Sequence, residues 1–84
     1  MAGPNTLPYG DTVEYPTWYA GRSTRLYVKN PDKQFPGRVT VWAGDDSEDV
    51  LVIGGKTNHI DRYWGGVEIY VSNTGGPTLT TWTE

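Results

Sequence analysis

Cysteine is absent, histidine occurs once, and no stretch approaches the roughly 20 apolar residues that a membrane helix requires. The first absence removes any disulfide framework and any thiolate metal centre. The second leaves His59 without partners for an imidazole metal site. A helical period is missing too, because apolar residues nowhere recur at i, i+3, i+4 and i+7. Nor is there a basic excess. Seven Lys and Arg stand against ten Asp and Glu, a net charge of -3, and a phosphate backbone is bound by basic patches. No nucleic-acid partner, no membrane partner and no cofactor is expected. The opening Met1-Ala2-Gly3-Pro4 lacks a basic start followed by an apolar run. No signal peptide is therefore expected, and cytoplasmic assembly or a virion is expected over classical secretion.

What remains is a chain of 84 residues with eleven glycines, six prolines and many β-branched and aromatic residues. One domain is the limit at this length. Residues 1–10 carry Pro4, Pro8 and Gly10 with few apolar side chains. They are expected to form an extended arm, with Leu7 and Tyr9 as anchors on a partner. Residues 11–84 are expected to form the domain.

The clearest strand is Gly66-Val67-Glu68-Ile69-Tyr70-Val71-Ser72-Asn73. Its period of two predicts Val67, Ile69 and Val71 inside, with Glu68, Tyr70 and Ser72 outside. Leu26-Tyr27-Val28-Lys29-Asn30 repeats the order Ile69-Tyr70-Val71-Ser72-Asn73. Each copy leads through turn residues to a strand ending in Trp, namely Arg38–Trp42 and Thr78–Trp82. This pattern predicts two hairpins on one plan. Asn30-Pro31-Asp32 through Phe35-Pro36-Gly37 predicts a connection of about seven residues in the first. A short strand at Asp11–Tyr15 is expected to stop at Pro16, with Val13 inward. Gly44–Asp49 is expected to be an acidic turn, Val50–Ile53 a strand, and Thr57–Ile60 another. Thr17–Gly21 and Asp61–Gly66 are aromatic corners, Trp18 and Tyr19 capping one end of the core.

About seven short strands with turn signals between them predict an all-β fold. The expected form is a small antiparallel β-sandwich or a partly open barrel. In architecture it resembles immunoglobulin-like sandwiches. The Cys pair of those domains is missing, and the likeness implies nothing about function.

Phasing the strands puts Leu26, Val28, Val39, Val41, Val67, Ile69, Val71 and Leu79 inside. Tyr27, Trp42, Tyr70 and Trp82 then lie outside. The hairpin plan predicts Tyr27 beside Trp42 and Tyr70 beside Trp82, as cross-strand aromatic pairs. An exposed aromatic face is also the composition of a contact surface.

Other chemistry is thinly supported. Asp45, Asp46, Glu48 and Asp49 are oxygen donors of the kind Ca²⁺ takes, but their spacing is not an EF-hand loop. A solvated turn is expected there. His59 and Asp61 share a strand face without an elbow motif to supply a nucleophile. Glu14, Glu68 and Asp61 show no pairing of the kind glycoside hydrolysis needs. Gly54-Gly55-Lys56-Thr57 lacks the upstream glycine and following helix of a phosphate loop.

The expectation is therefore a non-catalytic assembly protein. It would dock onto a larger protein body or self-associate through the aromatic β face and the arm, as a virion, capsid-decoration or tail component does. A carbohydrate-binding module using Trp18, Trp42, Tyr70 and Trp82 as a glycan platform is the alternative. A weaker one is an enzyme inhibitor inserting the Asp61-Arg62-Tyr63-Trp64 tip.

Overall fold

Alternation in the sequence becomes alternation in burial. A computed structural model describes residues 2–84 and contains eight strands. They are β1 (Ala2–Leu7), β2 (Thr12–Tyr15), β3 (Thr24–Lys29), β4 (Gly37–Ala43), β5 (Asp46–Val52), β6 (Thr57–Arg62), β7 (Ile69–Gly75) and β8 (Leu79–Thr83). Leu26 and Val28 of β3, Val39 and Val41 of β4, Ile69 and Val71 of β7, and Leu79 of β8 are all buried. They form one core with Leu7, Tyr15, Val50 and Val52.

The strands make two four-stranded antiparallel sheets, in the orders β1-β8-β3-β6 and β2-β7-β4-β5. The fold is thus the expected all-β sandwich. Its connectivity is that of a jelly roll, with two Greek keys; successive strands alternate between the sheets except at the β4–β5 hairpin. Adding four to every strand number, and counting on from eight to one, turns one sheet order into the other. The halves β1–β4 and β5–β8 are therefore topological copies, and β3 corresponds to β7.

This explains the sequence repeat and corrects its expected geometry. The two copies are not hairpins. The segments from β3 to β4 and from β7 to β8 each cross from one sheet to the other. The copies then pair with each other, β3 with β8 and β4 with β7. Tyr27 lies opposite Trp82, and Trp42 opposite Tyr70, the reverse of the hairpin expectation.

A buried asparagine holds each crossing. Asn30 Nδ2 donates to the carbonyls of Phe35 (2.7 Å) and Val52 (3.3 Å), and its Oδ1 accepts from the Asp32 amide. Asn73 repeats the pattern. Its Nδ2 donates to the carbonyls of Pro77 (2.8 Å) and Leu7 (2.9 Å), and its Oδ1 accepts from the Gly75 amide. One amide in each half thus ties its loop to a neighbouring strand.

A third buried polar group joins the sheets directly. The Tyr15 hydroxyl donates to the Thr81 carbonyl at 2.8 Å and accepts from Asn5 Nδ2 at 3.0 Å, with Thr81 Oγ1 2.7 Å away. Tyr15→Phe keeps the ring and strands these groups in the core. An unmade buried hydrogen bond costs about 1–3 kcal/mol. The urea midpoint is expected to fall accordingly with unchanged slope, and an unchanged midpoint would remove Tyr15 as a tether.

Three further expectations are corrected. Ala2–Leu7 is not a free arm but edge strand β1 on β8, with Leu7 in the core; Met1 lies outside the described residues. Leu7 is therefore taken up by this chain's own core, while Tyr9 stays exposed. Val67 is not an inward strand residue. Positive φ at Gly65 and Gly66 and a Val67 amide bond to the Trp64 carbonyl make a turn there, so β7 begins at Ile69 and Val67 is 48% exposed. The acidic segment is mostly strand. Gly44, at φ +62°, makes a tight turn with Asp45, and β5 runs from Asp46. Val50 and Val52 face the core and the period continues back through the acids.

Candidate docking surface

The outer face of sheet β1-β8-β3-β6 carries a ladder rather than a platform. The Tyr27 and Trp82 rings lie 5.0 Å apart at 11°, and His59 is tilted against Tyr27 at 5.7 Å. Nearly parallel rings at that separation overlap, so each covers a face of the other. Arg25 binds Asp61 through two nitrogens at 2.8 and 3.1 Å. That bond holds the Asp61 carboxyl below the usual range and raises the Arg25 guanidinium. Asp61 is thus committed to Arg25, not set up as a partner for His59.

On the opposite sheet Trp42 and Tyr70 face each other across β4 and β7 without such a stack. They are 39% and 46% exposed. Hydroxyls surround them, with Thr12 bonded to Ser72 and Thr40 to Asp49. Here Glu14 and Glu68 meet, a pairing without any signal in the sequence because it depends on the β6–β7 turn. The neighbouring Glu68 side chain, then that of Tyr70, holds Glu14 below the usual carboxyl range. The neighbouring Glu14 side chain and its charge push Glu68 up.

These shifts set opposite pH dependences. The raised Glu68 stabilises the fold fully below the ordinary glutamate range, and loses that contribution as pH rises through its raised value. The lowered Glu14 contributes above the ordinary range and loses it as pH falls through its lowered value. Glu68→Gln keeps a donor for Glu14 and never ionises. Its melting temperature should exceed wild type at about pH 7, and the difference should shrink towards about pH 4. A difference independent of pH would show that the two carboxyls do not share a proton.

The acidic β5 residues diverge. Asp49 accepts from Thr40 on the sheet face, whereas Glu48 binds Arg62 from β6. Among the described residues no three metal-ligating side chains come together.

The two aromatic corners, one from each half, meet at one end of the sandwich. Thr17 Oγ1 donates to the Val67 carbonyl at 2.7 Å, and a Cβ added at Gly66 would lie 3.4 Å from the Tyr19 ring. The loop of residues 16–23 thus leans on the loop of residues 63–68. Each loop carries adjacent Trp and Tyr residues. Trp18 and Trp64 are partly buried, and Trp64 packs against the core. Tyr19 and Tyr63 stand out, 83% and 74% exposed. Arg22 lies over the Trp18 ring at 3.7 Å. Beside the second loop a cleft of about 400 Å³ opens towards the β4–β5 turn. Arg62 crosses it to Glu48, its Nε at 3.1 Å and an Nη at 2.8 Å from the two carboxylate oxygens.

Of the residues singled out in the sequence, this end gathers Trp18, Arg62, Tyr63 and Trp64. Tyr27 and Trp82 form the ladder, and Trp42 and Tyr70 lie apart on the opposite sheet. The expected Asp61–Trp64 tip is shorter than its sequence implied, since Asp61 and Arg62 belong to β6 and only Tyr63–Val67 projects.

The chain is 37% and 36% identical to two uncharacterized proteins of Dictyostelium discoideum, each alignment covering 99% of both chains. No solved structure matches it. Residues 8–84 match the model of a family of unknown function, DUF8244. The chain belongs to that family.

Proposed function

We propose that the protein is a non-catalytic assembly protein that docks on a protein partner through its aromatic loop end. The observation behind this reading is the exposure of Tyr19, Tyr63 and Val67 on two loops bonded to each other. Tyrosines are enriched among interface hot spots, and contiguous exposed apolar surface marks interaction sites. Short turns and strand ends hold them, which lowers the ordering cost of binding. The arm first expected to help is spent in β1, and the Tyr27–Trp82 rings are spent on each other. Both points favour the loop end over the β1-β8-β3-β6 face as the contact surface.

The test is affinity capture and sedimentation with three proteins: wild type, Tyr19→Ser/Tyr63→Ser, and Tyr70→Ser. A partner or self-association kept by wild type and Tyr70→Ser, but lost by the double variant, supports the reading. Equal behaviour of all three contradicts it.

The glycan alternative has one observation in its favour, the unstacked Trp42 and Tyr70 rings among hydroxyls and carboxyls on the flat face. Tyr27 and Trp82 do not belong to such a platform. Tryptophan fluorescence that shifts with a soluble polysaccharide in wild type, but not in Trp42→Ala, would favour this alternative over protein docking.

A further inference from the structure

We propose that the cleft beside Trp64 receives a cationic side chain, a guanidinium above all, from a basic segment of the docking partner. This rests on the protein-docking reading and names the chemistry of that partner. Polar Asp46, Glu48 and Arg62 line the cleft together with apolar Tyr63, Trp64 and Val67. Glu48 is neutralised by Arg62 at 2.8 Å. Asp46 forms no ion pair and accepts no side-chain hydrogen bond among the described residues. The cleft thus holds one carboxylate more than its own cation can satisfy, in a lining shared with an indole and an aliphatic side chain.

The other half of the molecule shows what such a corner accommodates. At Trp18 the guanidinium of Arg22 lies 3.7 Å from the ring centroid. The remaining cation–ring contact among the described residues is Arg25 on Tyr27. Among the described residues no cation lies over Trp64, and Arg62, which lines the same cleft, is turned to Glu48. The two corners belong to topologically equivalent halves. One is filled by its own arginine, while the other opens as an acidic cleft large enough for a long side chain. A guanidinium stacks on an aromatic face while its edge donates to a carboxylate, and its aliphatic stem packs on apolar surface. Tyr63, Trp64, Val67 and Asp46 present these three elements together. The chain's net charge of -3 also favours approach of a basic segment.

The probe is an acetylated, amidated tri-arginine peptide, titrated into the full chain and followed by amide NMR shifts and tryptophan fluorescence. Shifts are expected at Asp46, Glu48 and Tyr63–Val67 and not around Tyr27 and Trp82. Binding should weaken steeply between about 50 and about 500 mM salt. Asp46→Asn removes the surplus charge without touching the core and should weaken the peptide about tenfold, whereas Asp11→Asn, at the other end of the sandwich, should not. Trp64→Leu should weaken it further, but Trp64 also packs on the core, so Asp46→Asn carries the decision. No shift with tri-arginine, the same shift with tri-glutamate, or a shift at the cleft only with neutral cellotriose would overturn the inference. Partner capture lost in Tyr19→Ser/Tyr63→Ser without any tri-arginine binding would refute this inference and leave docking standing. Tri-arginine binding in a protein that shows neither partner nor self-association would refute the docking reading instead.

Discussion

Gly76→Ala is expected to destabilise the fold severely. Gly76 sits at φ +88° in the crossing between β7 and β8. An added Cβ would meet the Pro36 carbonyl oxygen at 2.2 Å and the Gly37 Cα at 3.1 Å. Both are backbone atoms, and Gly37 begins β4, so no side chain can rotate out of the way. Left-handed backbone costs an L-residue about 1–2 kcal/mol, and overpacking typically adds about 1–3 kcal/mol. The sum is a large fraction of the stability available to a domain of this size, about 5–15 kcal/mol at most. The reason lies in the topology. The β3–β4 and β7–β8 crossings, equivalent in the two halves, pass against each other at this point. Gly44→Ala is the contrast, since its Cβ meets nothing within 4 Å and only the positive φ opposes it. Circular dichroism melting should show a sharply lower or absent transition for Gly76→Ala and a modest shift for Gly44→Ala. Equal shifts would mean that the crossings do not touch.

Asn73→Ala is expected to cost about 3 kcal/mol, the cost of leaving two or more buried hydrogen bonds unmade. Its amide serves the Leu7 and Pro77 carbonyls, and its Oδ1 serves the Gly75 amide. Its loss unties β1 from the β7–β8 loop. Asn30→Ala should cost a similar amount, because Asn30 makes the matching bonds to Phe35, Val52 and Asp32. Asn73→Asp tests the mechanism. It keeps the acceptor and replaces the donating amide with a buried carboxylate facing two carbonyls, so it should be worse than alanine at neutral pH and recover towards acid. Chemical denaturation in which both asparagines prove replaceable at less than about 1 kcal/mol would show that the crossings stand without them.

These two asparagines show where the sequence was legible and where it was not. The repeat containing them is plain in the chain, and its inward aliphatics are buried as the period predicts, Val67 excepted. A period of two says which face a residue takes but not which strand lies beside it. Hairpins and sheet-to-sheet crossings leave the same alternation, so the partners of Tyr27 and Tyr70 were exchanged. The Asn at the end of each copy is the one mark of a crossing, and a polar residue after a strand is usually a surface turn. Β1 was hidden by Pro4 and Pro8, which suggested an arm although a sheet edge tolerates proline. At the loop end, the two aromatic corners were visible as composition. Their meeting was not, since it depends on the order of strands around the sandwich. Tyr15 gave no signal either, because the Thr81 carbonyl that it binds is 66 positions away.

The docking reading has one geometric premise, that loops from the two halves form a single contact surface. Hydroxyl-radical footprinting of the protein with its partner, or of its self-associated form, tests this directly. Tyr19, Tyr63 and Trp64 should lose reactivity together on assembly, while Trp42 and Tyr70 keep theirs. Protection of Trp42 and Tyr70 with Tyr19 and Tyr63 still reactive would contradict it and return the contact to the sheet face.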